Sequence, residues 1–382
     1  MKSVPRLHLL VLLIVLLGLA VLLARGPLLM NDFVEYWAAA RVVLSGGNPY
    51  DPAQILAVER SVGFSGSRPL LMLNPPPVLA LILPFAAVPY RQAALLWLIL
   101  NAVALLWSLN LLWDLAGGSI RGRWAALAAG VFFLPSVAAL VLGQITVLVL
   151  LGLALLLRFE RHSRWAAAGA ASTLLLIKPH IVYLVGLALV TWWIQTRNRE
   201  FLRGACLAVL LSLVPLAFNP LLYGHYLEML STVSLRQFST STAGSMLRIA
   251  TGDPSRFGLQ FLPMVLGLAY LLARLRRRRG SDWSWKREMP ALVTISVATA
   301  AYGWLFDYVV LLIAALPILV IAIHGGGVRL AYTVAFWLLI TAVSYGQVLQ
   351  SVNSFWYVWI PWVFLPFLPR LSRGPQGSGL EG

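Results

Sequence analysis

Residues 92–114 read QAALLWLILNAVALLWSLNLLWD, a stretch that has no charged side chain before Asp114. An α-helix of about 20 consecutive apolar residues is long enough to cross the hydrocarbon core of a bilayer. Apolar runs approaching this length recur along the chain, which is 60% hydrophobic and only 11% charged. Soluble domains carry about 25% charged residues. The sequence therefore predicts an all-α, multi-pass integral membrane protein.

The basic residues predict how the chain crosses the membrane. The net charge of +16 does not indicate a nucleic-acid-binding protein, because Lys and Arg occur in short clusters between the apolar runs. Cytoplasmic loops of membrane proteins are enriched in these residues. The clusters are Lys2/Arg6, Arg121/Arg123, Arg158/Arg161/Arg164, Arg197/Arg199/Arg203, Arg274 to Arg279 with Lys286/Arg287, Arg329, and Arg370/Arg373.

With every basic cluster in the cytoplasm, about twelve crossings are predicted, with both termini inside. Residues 25–91, a long loop after the first helix, and residues 219–256 then lie outside. The predicted spans are 7–24, 92–114, 124–136, 144–157, 166–177, 181–194, 203–218, 257–274, 289–303, 307–323, 329–343 and 355–369.

A single membrane domain is predicted over residues 1–373, followed by a disordered tail at 374–382. The first apolar segment, Leu7–Ala24, is predicted to be an uncleaved helix. A signal peptide is the alternative, because basic residues precede the apolar centre. The single cysteine, Cys206, lies in an apolar run and excludes an internal disulfide framework.

The apolar segment Asn74–Pro89 contains five prolines, which remove backbone donors and break helices. If it crossed the membrane, the following basic clusters would lie on the wrong side. We therefore expect a re-entrant or surface-lying segment on the outer side; a further span is the alternative. Two pairs of short spans, 124–136/144–157 and 166–177/181–194, are expected to turn at Pro135–Gln144 and Lys178–His180 and to enclose a cavity.

The first outer loop carries two carboxylates, Asp32 and Glu35, directly after the first predicted span. Residues three apart lie on one side of a helix, and Trp and Tyr favour the headgroup level of a bilayer. One interpretation is an interfacial helix capped by Asn31 or Asp32, with Phe33, Tyr36 and Trp37 at the membrane surface. The other is a catalytic carboxylate. The stretch Ser45–Pro52 is rich in Gly, Asn and Pro and predicts a turn.

Lys178 lies between apolar helices, in Ile177-Lys178-Pro179-His180. An ionisable residue at membrane depth indicates function by default, and an ammonium group can hold a phosphate as a point charge. The alternative is a lysine that reaches the outer headgroups. Gln144, Arg248 and Asp307 are also predicted on the outer side. Carboxylates, cations and amides on one side suit an anionic substrate and a general base.

Nucleotide and metal sites are not indicated by the sequence. No P-loop or dinucleotide-binding glycine motif follows a strand. The histidines show no spacing typical of metal ligands; they are His8, His162, His180, His225 and His324. No cofactor is therefore expected.

The motifs of the first outer loop resemble those of glycosyltransferase family 87. They are Asp-Phe-x-x-Tyr-Trp-x-Ala-Ala at Asp32–Ala40 and Gly-x-Asn-Pro-Tyr-Asp at Gly46–Asp51. The resemblance covers roughly residues 7 to 325. It continues through the segments Pro75-Pro76, Trp97…Asn101, Gly143-Gln144, Ala168-Gly169…Lys178-Pro179, Ser245…Leu247 and Phe306-Asp307-Tyr308.

The resemblance implies a membrane-embedded GT-C fold and a sugar donor carried on a polyprenyl phosphate, as in α-mannosyltransferases of this group. It also implies reaction at the outer face without a metal, and a catalytic base at the position of Asp32. Some members have a His just before the later Asp, where this chain has Phe306. Lys178, His180 and Arg248 are predicted to bind the donor phosphate. The predicted substrate-binding residues are Glu35, Tyr36, Asn48, Tyr50, Gln144 and Asp307.

The predicted function is transfer of a sugar, mannose or another hexose or pentose, to a lipid or glycan acceptor with inversion. The expected location is the inner membrane of a bacterium, within its cell envelope. The competing class is a transporter or a flippase of lipid-linked sugars, which shares many spans and buried charges. Transporters usually contain two related halves, and no internal repeat is visible in this sequence.

Overall fold

The computed structural model describes residues 30–233, 238–253, 255–277 and 283–373. Within these ranges the secondary structure is helical and no β-strand occurs. This confirms the all-α prediction for the described part of the chain. The predicted first span at Leu7–Ala24 and the predicted tail at 374–382 lie outside the described residues.

The chain divides into two compact units, and the first comprises residues 1–104, 140–144 and 210–233. The first part of the long helix Tyr90–Ala116 belongs to it. Its other helices are Asn31–Leu44, Pro52–Ser61, the 3-10 turn Pro76–Val78, Leu79–Ala86, the 3-10 turn Val214–Ala217, and Leu222–Thr232.

The core of the first unit is the helix Asn31–Leu44. Phe33, fully buried, stacks on Trp97 with 5.3 Å between ring centroids and on Tyr90 with 6.0 Å. Tyr36 and Trp37 are buried too, so the predicted placement of these aromatic rings at the membrane surface is wrong. They are buried because they have aromatic partners inside the protein.

The predicted cap of this helix is also wrong. Met30 occupies the N-cap position and makes no side-chain capping hydrogen bond, which leaves Asp32 in the first helical turn. A carboxylate in the first turn interacts favourably with the helix dipole.

The proline-rich segment forms a short apolar helix, Pro76–Ala86. At about 1.5 Å per residue this helix is roughly half as long as the hydrocarbon core is thick. Its α-helical part, Leu79–Ala86, packs on Asn31–Leu44. The short length supports a re-entrant or surface-lying segment rather than a further crossing.

The second unit comprises residues 105–139, 145–209 and 234–382. Most of the helices Leu134–Leu142 and Arg199–Leu211 belongs to this unit. The α-helices that lie entirely within it are Arg123–Val131, Thr146–Arg161, Trp165–Ser172, Tyr183–Thr196, Ala243–Ala250, Leu262–Arg277, Trp285–Thr299, Leu312–Gly325, Gly327–Leu349 and Leu368–Arg373. Its 3-10 helices are Thr173–Ile177, Pro179–Ile181, Phe257–Phe261, Leu305–Leu311, Ser354–Trp359 and Trp362–Phe367.

Five helices of the described chain are long and apolar enough to cross a membrane, which makes this a membrane protein. They are Tyr90–Ala116, Arg199–Ala217, Phe257–Arg277, Leu305–Gly325 and Gly327–Leu349. Arg123–Val131 and Leu134–Leu142 form a sixth span if this pair, bent by 59°, is counted as one. The total of about twelve crossings stays a prediction. Three of the other predicted spans coincide with the shorter apolar helices Trp165–Ile177, Tyr183–Thr196 and Phe355–Phe367.

Of the two predicted polar turns, one is confirmed and the other only in part. The helical run ends at Ile177, Lys178 has non-helical backbone angles of φ −139° and ψ 70°, and a new 3-10 turn begins at Pro179. The predicted turn at Pro135–Gln144 is wrong over Pro135–Leu142, which is helical, and is confirmed only at Gly143 and Gln144, where the chain leaves the helix. Proline is tolerated in the first turn of a helix, where its missing N–H is not needed.

Candidate functional site

Asp32 is the half-buried carboxylate at the start of the helix Asn31–Leu44. The Gln144 side-chain amide donates a hydrogen bond to Asp32 Oδ2 at 2.8 Å. The hydroxyl of Tyr36 donates to the carbonyl oxygen of the same Gln144 side chain at 3.1 Å. Tyr36 follows Asp32 by four residues, so both lie on one face of the helix. The amide of Gln144 thereby bridges two successive turns and fixes the orientation of the carboxylate.

The backbone around Gln144 is held in place as well. Trp97 Nε1 donates a hydrogen bond to the Gly143 carbonyl at 2.7 Å. Gly143 has φ +73°, a conformation that side chains rarely adopt, and a Cβ atom there would lie 2.6 Å from Cβ of Phe33. Glycine is required at this position, and the close approach places Gln144 beside the first turn of the helix.

The residues on both sides of Asp32 are anchored. The Met30 backbone N–H donates to the Tyr90 hydroxyl at 3.2 Å, and the Phe33 ring lies in the aromatic core of the first unit. Glu35 is on the same helix and is half-buried. The carboxylate of Asp32 thus belongs to a rigid first turn, which a positioned catalytic group requires.

The turn Ser45–Pro52 is confirmed, and its polar side chains mainly hold its own backbone. Asn48 Oδ1 accepts from the Tyr50 N–H at 2.9 Å, and Asp51 caps the helix Pro52–Ser61 by accepting from the Ala53 N–H at 2.9 Å. Tyr50 is different. Its ring lies 5.4 Å from that of Tyr226, and its buried hydroxyl has no hydrogen-bond partner among the described residues.

Burial and the neighbouring Tyr226 raise the pKa of the Tyr50 phenol above its ordinary value. The group is therefore neutral and can donate a hydrogen bond. A buried hydroxyl without a partner is costly, and Tyr50 is the member of this turn whose side-chain donor is unused within the described residues.

The second unit contains a buried ion pair between Lys178 and Asp307. Lys178 Nζ lies 2.8 Å from Asp307 Oδ1, and Asp307 is fully buried. Asp307 also accepts from the Thr146 hydroxyl at 2.7 Å and from the Trp304 N–H at 2.9 Å. Both carboxylate oxygens of Asp307 accept hydrogen bonds, and the carboxylate balances the charge of Lys178. The sequence could not show that these two predicted site residues are partners.

The ion pair is bordered by aromatic rings. Lys178 Nζ lies 4.6 Å from the ring centroid of Phe306, and Phe306 stacks on Trp304 at 6.0 Å. His180 is close enough for the charges of both Lys178 and Asp307 to act on it. Its Nε2 is buried without a hydrogen-bond partner among the described residues.

Arg248 is a buried cation whose charge is not balanced by an ion pair with any described residue. It lies on the helix Ala243–Ala250, which Thr242 caps through the Ser245 N–H. Arg248 Nη2 donates to the Phe238 carbonyl at 2.6 Å, whereas its buried Nη1 has no partner among the described residues. The nearby Tyr302 hydroxyl is buried and also without a partner in the described chain.

Buried charges are normally paired or hydrogen-bonded. The guanidinium of Arg248 is only 3% exposed, so an anion beside it would be stabilised by its charge. Sequence reasoning selected Arg248 but missed Tyr302, Thr146 and Trp304. Their residue types carry no signal for chemistry, and only the folded chain brings them to the charged groups. No three His, Cys, Asp or Glu side chains of the described residues are grouped as a metal site would require.

Comparison with known proteins gives one result. The model of glycosyltransferase family 87 matches residues 73–298, more than half of the chain. The matched range contains Gln144, Lys178, His180 and Arg248. No curated protein and no solved structure matches the chain.

Proposed function

The chain belongs to glycosyltransferase family 87, and on that premise we propose that it transfers a sugar from a polyprenyl phosphate to a lipid or glycan acceptor. It is a glycosyltransferase of the membrane. In this proposal the fold is a GT-C-type arrangement of about twelve spans, and the reaction takes place at the outer face of a bacterial plasma membrane. The proposed sugar is mannose or another hexose or pentose.

The proposed reaction is a single displacement. The Asp32 carboxylate takes the proton of the acceptor hydroxyl as its oxygen attacks the anomeric carbon. The bond between that carbon and the phosphate oxygen breaks, and its electron pair leaves with the polyprenyl phosphate. Attack opposite to the departing group inverts the anomeric centre. A lipid phosphate is a good leaving group, so this chemistry needs no nucleotide.

The observation that carries the proposal is the hydrogen bond from Gln144 to Asp32. It fixes a half-exposed carboxylate in the rigid first turn of a helix. Tyr36 and Gln144 then serve mainly to position the base, and the hydroxyl of Tyr50 is the better candidate for direct contact with a substrate. Asn48 is already engaged in its own turn.

The test compares Asp32→Asn with Glu35→Gln in nanodiscs, using a panel of polyprenyl-phosphate sugars. Removal of a positioned general base typically costs about 10²–10⁴-fold in rate. Asp32→Asn retains the shape of the side chain, so we expect loss of transfer with unchanged thermal stability and donor binding. Glu35→Gln should be mild.

Two outcomes would count against the assignment. Transfer by Asp32→Asn at the wild-type rate together with an inactive Glu35→Gln would move the base to Glu35. Full transfer activity of both variants would exclude both carboxylates as the catalytic base.

For the donor phosphate, the proposed ligands are Arg248, Lys178 and His180. Arg248 is the strongest of the three, because its charge has no balancing carboxylate in the described chain and one of its buried N–H groups is unused. Phosphate oxygens match the planar donor geometry of a guanidinium. Lys178 already neutralises Asp307, so its contribution to a phosphate is smaller.

Arg248→Gln should weaken binding of a polyprenyl-phosphate sugar by about tenfold or more, the effect of losing one charge-assisted hydrogen bond. Its thermal stability should equal or exceed that of the wild type, because an unbalanced buried charge is removed. The matched control is Arg256→Gln, which changes an exposed arginine. Equal donor affinity in Arg248→Gln and wild type would exclude Arg248 from the site.

A further inference from the structure

The second unit contains an apolar cavity of about 410 Å³. No charged side chain of the described residues lines it. Its walls come from three helices, Arg123–Val131, Leu312–Gly325 and Gly327–Leu349, and from Phe364. Cavities of this volume lie within the range that holds small ligands. An unfilled void deprives its lining side chains of packing partners, which favours an apolar occupant.

The cavity opens among residues that face the surroundings of the protein. Phe132 is 65% exposed and Leu338 is 61% exposed, and both line the cavity. In a membrane protein such apolar side chains contact lipid tails rather than water. An acyl chain can therefore enter the cavity laterally from the bilayer.

The lining residue Phe132 lies at the bend of 59° between Arg123–Val131 and Leu134–Leu142. The bend frees backbone carbonyl groups, and the Tyr345 hydroxyl donates to one of them, that of Phe132, at 3.3 Å. Tyr345 lies near the end of Gly327–Leu349 and Phe132 directly follows Arg123–Val131. The C-terminal ends of the two helices therefore meet at this contact.

Because both helices line one cavity and meet at their C-terminal ends, their N-terminal ends point to the same side. Each of these N-terminal ends carries an exposed arginine. Arg329 precedes the lining residues Thr333, Trp337 and Thr341 at intervals of four, so it lies on the face of the helix that lines the cavity. Arg121 stands two residues before the other helix, and its neighbour Arg123 is already paired with Asp114.

We propose that this cavity binds one acyl chain of an anionic phospholipid, whose phosphate is held by Arg121 and Arg329. The apolar lining accounts for the chain, and the two arginines account for the anionic headgroup. On the topology predicted from the basic clusters, both arginines face the cytoplasm, so the lipid belongs to the inner leaflet. This is the leaflet opposite to the proposed sugar transfer.

The test is native mass spectrometry of the purified full chain after exchange into detergent with phosphatidylglycerol, phosphatidylcholine or a polyprenyl phosphate. We expect retention of one phosphatidylglycerol and little phosphatidylcholine. Ala128→Trp, which fills the cavity from an exposed alanine in its wall, should lower that retention about tenfold, as should the double change Arg121→Gln/Arg329→Gln. The controls are Ala335→Trp, an exposed alanine that does not line the cavity, and Arg203→Gln, an exposed arginine elsewhere.

Three results would overturn the proposal: equal retention in Ala128→Trp and Ala335→Trp, equal retention of the two phospholipids, or displacement of phosphatidylglycerol by the polyprenyl phosphate. The last would make the cavity part of the donor site. Retention is measured without donor turnover or acceptor, so a negative result here leaves the proposed sugar transfer untouched.

Discussion

At the scale of the residue, the buried Lys178–Asp307 pair has a large energetic consequence. Both side chains are buried, and each charge is stable there because the other balances it. Removal of one member of a buried pair is strongly destabilising, whereas replacement of both by neutral groups often is not. Variants of one or both residues can therefore distinguish two roles of Lys178: balancing the charge of Asp307 and binding a phosphate.

Lys178→Met should lower the free energy of unfolding by about 3–5 kcal/mol, because Asp307 is left buried without a counter-charge. Lys178→Met combined with Asp307→Asn should recover most of this loss, since Asn Oδ1 can accept from the Trp304 N–H while its Nδ2 donates to the Thr146 hydroxyl. Thermal unfolding in detergent measures both. Additive losses in the double variant would show that the two residues are not energetically coupled.

The folded double variant also allows a test of ligand binding without the stability defect. Reduced affinity for a polyprenyl-phosphate sugar in that variant would support a direct contact between Lys178 and the phosphate. Unchanged affinity would leave Lys178 as a structural partner of Asp307 and assign the phosphate to Arg248 alone.

At the scale of the elements, the sequence predicts helices well and their boundaries less well. The span predicted at residues 92–114 coincides with the helix Tyr90–Ala116. Length and apolarity are sufficient to predict such a helix. The break beside Pro135 was misplaced by two or three residues, since proline is compatible with the first turn of a helix as well as with a helix end. The burial of Phe33, Tyr36 and Trp37 was missed because aromatic residues suit an interface and a core equally.

The helix Pro52–Ser61 carries the buried carboxylate of Glu59, which lies outside the predicted spans. Both of its oxygens accept from the Leu70 N–H, at 3.1 and 3.2 Å. Burial raises the pKa of Glu59 from 4.5 to about 7, and this one backbone hydrogen bond lowers it by less. Burial thus favours the protonated form of Glu59 more than the hydrogen bond from Leu70 favours the carboxylate.

Between pH 4.5 and about 7 the folded chain keeps a proton on Glu59 that the unfolded chain has released. The free energy of unfolding should therefore decrease as the pH rises through this window. In Glu59→Gln this decrease should be absent, leaving the variant more stable than the wild type by a few degrees in Tm above pH 7. Thermal unfolding at several pH values tests this, with the exposed Glu228→Gln as control. Parallel pH profiles of wild type and Glu59→Gln would contradict it.

At the scale of the whole molecule, the family and the membrane class could be predicted from the sequence, because motif and hydropathy are local properties of the chain. The pairing of side chains could not. Lys178 and Asp307 are 129 residues apart and Asp32 and Gln144 are 112 apart, and no local pattern records which distant residues meet. The sequence therefore identified candidate site residues but not their partners.

The predicted topology places residues 25–91 outside the cytoplasm, which is the side that the proposed reaction requires for Asp32. A single cysteine at position 65, introduced as Ser65→Cys into a Cys206→Ser background, should react with a membrane-impermeant maleimide in intact cells. The native Cys206 is exposed in the structure, so its removal is needed for a clean readout. A cysteine at the exposed Arg161, in a basic cluster, is the matched control and should react only after the cells are opened. Labelling of position 65 from the cytoplasmic side alone would invert the topology, and with it the face at which Asp32 could meet its acceptor.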